Sequence, residues 1–157
     1  MTGRAEAAIA ALRAQSRELE RVVQTLSDAD WQRICPDEQW PVGLVAFHIA
    51  RGFQRQAEFV ENARYGGSPH QFDWEETHAL NATVAAAHPA PDREEVLAVA
   101  KVNVDRMEQA LRAMSDGELA RVAWQHEGRD RDVIWIVGTL ASRHAHLHLD
   151  SIAVSVG

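Results

Sequence analysis

The chain has 157 residues, 46% apolar and 25% charged, the balance of a globular protein with a single domain over residues 1–157 rather than a disordered or fibrous chain. A formal charge of −7, from 23 acidic and 16 basic residues, argues against general nucleic-acid binding, which needs a basic footprint, and against an anionic membrane surface. Cys35 is the only cysteine, which rules out an internal disulfide, and no apolar run reaches the ~20 residues of a membrane span.

The N-terminal segment is interrupted by charge every few residues and lacks the apolar region of a secretory signal, so a cytoplasmic protein is expected. The first helix is predicted over residues 4–26, where Ile9, Leu12, Ser16, Leu19, Val23 and Leu26 recur at steps of three and four. A polar link with Pro36 and Pro41 follows, and Cys35 in it reads as a half-buried free thiol. The second helix opens at Pro41 and runs to about residue 64, with Val45, Ile49, Phe53, Ala57 and Val60 on its apolar arc. Tyr65-Gly66-Gly67 stops it.

Residues 66–91 are bracketed by glycines and prolines and hold a short helix over about 74–86. A connection of that length crosses the end of a bundle or serves a site. The third helix spans 92–114, with acids at its start and Leu97, Ala100, Val104, Met107, Leu111 and Met114 along its seam. The fourth spans 132–154, capped by Asp132, with Val133, Val137, Leu140, His144, His148 and Ile152 in line. Leu26-Ser-Asp-Ala-Asp-Trp is echoed by Met114-Ser-Asp-Gly-Glu-Leu, which suggests two helical hairpins joined by the long connection. The fold class is therefore all-α, a four-helix bundle with a crossover between helices two and three, without β alternation outside Arg121–Trp124.

Of eight histidines, two stand out. Residues four apart lie on adjacent turns of one helix face, so His144 and His148 project side by side and continue the core stripe. Buried imidazoles need polar partners, and a metal ion is one such partner. A hydrogen-bonded core histidine is the competing reading for each taken alone. His146 points the opposite way. His48 lies at the edge of the second helix's apolar arc, one turn before Gly52, which reads either as a helix-packing glycine or as room for a ligand.

These segments carry a family resemblance. Leu26-Ser-Asp-Ala-Asp-Trp, then Trp40-Pro-Val-Gly-Leu-Val-Ala-Phe-His48, then His144-Ala-His-Leu-His148-Leu-Asp-Ser-Ile152 resemble in order and separation the DinB/YfiT-like metalloenzymes, a superfamily that includes thiol-dependent S-transferases and maleylpyruvate isomerases. The resemblance implies an up-down-down-up bundle and a divalent ion held by His48, His144 and His148 with open coordination positions. Where relatives often continue His-Arg-Gly-Gln after the last ligand, this chain reads His148-Leu-Asp-Ser.

Three imidazoles suit zinc or nickel, and a three-ligand site is the catalytic rather than the closed structural pattern. The expected function is a metal-dependent hydrolase or thiol S-transferase acting on a small molecule, with a low-molecular-weight thiol as a second cofactor in the latter case. The rivals are a non-catalytic metal or small-molecule binding bundle, and a structural bundle with core histidines, in which an exposed face of helix one would drive homodimerisation. Glu58 and Glu61 read as solvated. Asp73, Glu75, Glu76 and His78 sit where they could overhang the site, and Trp40 and Trp124 where they could line its mouth.

Overall fold

A computed structural model describes residues 1–157. Four long helical stretches carry the core: α1 (Gly3–Thr25), α3 (Val42–Arg64), α5 (Arg93–Ala113) and the C-terminal stretch from Val133 to Val156. Three of the four start where a side chain supplies a partner for a free N–H group. Thr2, Asp92 and Asp132 accept from Ala5, Glu95 and Trp135, whereas α3 follows Pro41 without a side-chain cap and Val42 N donates to Arg33 O at 2.8 Å. The echoed segments are one-turn helices, α2 (Asp28–Trp31) and α6 (Asp116–Leu119), capped by Ser27 and Ser115. Each buries its last residue, Trp31 and Leu119, under the bundle.

The seam residues Leu12, Leu19, Val23, Ile49, Phe53, Val104, Met107, Leu111 and Ile152 are almost fully buried in a single cluster. The hairpin expectation fails. Helix α1 packs on α5 and the C-terminal stretch, α3 packs most extensively on α5, and α1 barely meets α3. The first and second long helices thus lie on one diagonal and the third and fourth on the other, while α3 and α5 are neighbours, because α3 offers apolar residues on several sides and takes the centre of the core. Contacts tie the helix ends together. Trp31 Nε1 donates to Pro91 O at 3.3 Å, Arg121 reaches Ala63 O and Arg64 O, Arg93 reaches Val23 O, and Arg33 reaches Ser155 O.

Two small sheets break the all-α expectation. Strands β1 (Ile34–Cys35) and β2 (Trp40–Pro41) form a short antiparallel pair around residues 36–39, with Gln39 at φ 59°. Strand β3 (His70–Gln71) runs parallel to β4 (Val122–His126), which pairs antiparallel with β5 (Arg129–Asp132). Pairing begins close to the weak alternation at Arg121–Trp124; the rest is too short or too polar to show a period. Between β3 and α5 lies α4 (Trp74–Ala87), which buries none of its residues fully. The C-terminal stretch is not one regular helix: a first turn, α7 (Val133–Trp135), passes into a π-helical segment, Ile136–Ala141, and then into α8 (Ser142–Val156). No helix is long and apolar enough to cross a membrane.

Candidate metal centre

Helix α3 carries His48 and helix α8 carries His144 and His148, and their packing brings the three imidazoles together. One ligand-capable nitrogen from each lies within 4.8 Å of the others. The Nε2 atoms of His48 and His144 are 3.0 Å apart. Two imidazole nitrogens on one zinc-sized ion, at about 2.0–2.1 Å each, would be roughly 2.9–3.4 Å apart for bond angles between octahedral and tetrahedral. The observed spacing falls in that range, and the donor set suits such an ion. His146 is exposed and pairs with Asp150, outside the cluster.

Each imidazole is positioned by a different device. His148 Nδ1 lies 2.7 Å from Glu38 Oε1, and Ser151 Oγ donates to Glu38 Oε2 at 2.6 Å. The carboxylate therefore fixes Nδ1–H as the donor and turns the Nε2 lone pair toward the cluster, the carboxylate–histidine arrangement common behind metal-binding histidines. Hydrogen bonds from Ser151 and His148 hold Glu38 below the usual carboxylate range against the opposing effect of burial. His48 meets the edge of Trp40, ring centroids 5.4 Å apart. Burial, and then the positive charge His148 carries when protonated, push the His48 pKa down to about 4, so the ring is neutral at neutral pH. His144 is lowered as well, by burial first and then by the charges of the other two.

Gly52 makes the close approach possible. A Cβ there would sit 2.6 Å from His144 Cε1 and 2.7 Å from Nδ1, so its lack of a side chain serves the packing of a cluster histidine. That Nδ1 is buried and has no hydrogen-bond partner in the chain.

Two cavities flank the cluster. One, of about 130 Å³, runs along α3 from His48 and His144 past Gly52, Arg55 and Gln56. The other, of about 500 Å³, opens beside His48 and His148 between Trp40, Trp74, Trp135 and Leu147. Residues of α4, with Phe72 and Trp124, wall both, so the long connection and the β4–β5 region do flank the site. Trp40 and Trp124 line these cavities as their positions suggested.

Several other residues stand elsewhere. Asp73 caps α4, Glu75, Glu76 and Glu58 are exposed, and Glu61 is held by Arg106; of the group that could overhang the site, only His78 lines a cavity. Cys35 is fully buried rather than half-buried, and burial pushes its thiol up despite hydrogen bonds with Ser155 and Ser151. Glu38 went unread in the sequence. It stands in a polar turn with no periodicity, and the only signal was a carboxylate a few residues ahead of Trp40 and His48. Arg51, Arg55 and Gln56 went unread too, because three polar residues on an amphipathic helix normally face water.

A family model described as the DinB superfamily matches residues 8–152. The chain belongs to the DinB superfamily. Among solved structures, YfiT from Bacillus subtilis, described as "a probable metal-dependent hydrolase with an unusual four-helix bundle topology", superposes with a TM-score of 0.78 at 17% identity, covering 98% of this chain and 87% of its own. A mycothiol-dependent maleylpyruvate isomerase superposes with a TM-score of 0.73 at 16% identity, covering 97% of this chain and 63% of its own. At these identities the likeness establishes the fold. No curated protein matches the chain.

Proposed function

We propose that this DinB-superfamily chain is a divalent-metal-dependent enzyme that acts on a small molecule, with His48, His144 and His148 as the ligands. The observation that carries the reading is a cluster of three imidazoles, two of them held neutral by burial, open to two adjoining cavities. A structural metal site would be closed by a fourth protein ligand. The contacts between helix ends described above also support the up-down-down-up order of the family resemblance.

A bound zinc or nickel ion would supply Lewis-acid polarisation and lower the pKa of a nucleophile. The chain's own groups do the rest. Glu38 holds the His148 tautomer, Gly52 lets His144 reach the cluster, and Trp124 and Leu140 give both cavities an apolar wall. Thr77 and Asn81 present polar groups to both cavities and can orient a substrate. Hydrolysis is the first reading, drawn from the YfiT neighbour. Thiol transfer is the second; it is favoured by the two adjoining cavities, which together leave room for a thiol and its acceptor beside the cluster.

Metal analysis of protein purified without a histidine tag tests the proposal. One divalent ion per chain is expected, with loss of the ion and retained helical circular dichroism in His144→Ala and His148→Ala. Wild-type metal stoichiometry in both variants would sink it.

A further inference from the structure

The inner cavity carries more polarity than an apolar pocket requires. Moving along α3 from His48, Arg51 and Arg55 follow at three and seven residues, which sets Arg55 roughly 10 Å along the axis from His48. Both line the cavity and both have neutral partners: Arg51 Nη1 donates to Gln54 Oε1 at 2.5 Å, and the Arg55 guanidinium lies 5.2 Å from the Phe59 ring centroid. Phe59 also stacks on His70, centroids 4.3 Å apart at 16°. The Arg55 charge is felt there, since it adds to burial in lowering the His70 pKa. Two atoms are buried with no hydrogen-bond partner in the chain, Arg51 Nε and Gln56 Oε1, and Gln56 is only 4% exposed. A buried donor and a buried acceptor left unmet cost free energy, and a ligand that supplies their complements recovers it. The walls between the arginines and the histidines are apolar, from Leu80, Val84 and Leu140.

We infer that the inner cavity is a carboxylate subsite: the substrate is a slender molecule with an apolar body and a terminal carboxylate, its acid end on Arg51 and Arg55 and its reacting end at the histidine cluster. Guanidinium groups match a carboxylate's paired oxygens, and the unpaired Gln56 Oε1 accepts from a hydroxyl or amide N–H next to the acid. The assignment of the reacting end rests on the metal-centre reading; the acid end does not.

Hexanoate, 2-hydroxyhexanoate and hexanamide probe the acid end in chelator-treated, metal-free protein, so that metal–carboxylate ligation cannot contribute. By titration at low ionic strength, hexanoate should bind at least tenfold more tightly than hexanamide, and 2-hydroxyhexanoate more tightly still. Arg55→Gln should shrink the acid-over-amide preference to under threefold, and the Arg51 Nε–Hε resonance of the wild type should move as hexanoate is added. Equal affinity for acid and amide, no saturable hexanoate binding, or an unchanged preference in folded Arg55→Gln would overturn the inference. If that variant does not fold, a wild-type Arg51 resonance that fails to move overturns it. A protein that binds one zinc ion but shows no acid preference refutes the carboxylate subsite alone and leaves the metal centre standing.

Discussion

Glu38 and Gly52 are the two residues outside the triad on which the histidine geometry depends most directly. The carboxylate meets His148 Nδ1 at 2.7 Å, so Glu38→Gln keeps the shape but loses the charge that fixes the tautomer. Metal affinity should fall roughly 10- to 100-fold in a chelator competition titration, with little change in helical content. Gly52→Ala places a methyl 2.6 Å from a ring carbon of His144 and should weaken metal binding by at least a similar factor, although alanine is the better helix former by about 1 kcal/mol. An unchanged affinity in Gly52→Ala would mean that His144 is not a ligand. His48 gives the metal-free protein a pH dependence. Its folded pKa, about 4, lies below the ordinary 6.5, so folding disfavours its proton. That contribution to stability is complete above pH 6.5 and is lost as pH falls toward 4, by roughly 3 kcal/mol in all. Urea denaturation from pH 7.5 to 4.5 should show the decline, and His48→Gln, which cannot titrate, should reduce it and leave the part that His144, lowered in the same direction, contributes.

At the scale of elements, the π-helical segment before α8 joins two jobs. A π turn spends one more residue than an α turn and is frequent near functional sites. Here it lies between the capped start at Asp132 and the helix that carries His144 and His148, so it sets the phase at which those histidines meet α3. Gly138 within it lies against α1, where a Cβ would come 2.9 Å from Ala8 Cβ and 3.2 Å from its Cα. Gly138→Ala should therefore destabilise the fold by about 1–3 kcal/mol, read by urea denaturation, because backbone has to move rather than a flexible side-chain tip. Helix α4 is the opposite kind of element. It has no fully buried residue and rests on the cavities through Leu80 and Val84, which is why its sequence has so weak an apolar stripe.

For the whole molecule, the cluster spans two helices separated by most of the chain, so an ion bound there ties α3 to α8. A ligand that binds only the folded state stabilises it by about 2.7 kcal/mol at one hundred times its dissociation constant, which for a chain of this size is a rise in melting temperature of roughly 5–10 °C. Thermal unfolding with zinc against chelator should show that rise in the wild type and none in His144→Ala. An equal rise in both would place the ion elsewhere.

Helical periodicity was enough to locate the four long helices to within about two residues, because their apolar stripes pay back over many turns. It also put His144 and His148 on one face, since a four-residue step is a local property of one helix. His48 came from the likeness of its segment to a family, because nothing local says which helix will face α8. The tertiary structure alone decided the rest. The diagonal placement of α1 against α3, with α5 beside α3, depends on which faces of α3 are covered. The parallel pairing of β3 with β4 joins residues more than fifty positions apart. Glu38 behind His148, and the unpaired atoms of Arg51 and Gln56 in the inner cavity, are relations between segments that no single segment encodes. A polar residue reads as solvated until the fold shows what covers it, and that covering is set by long-range packing rather than by its neighbours in sequence.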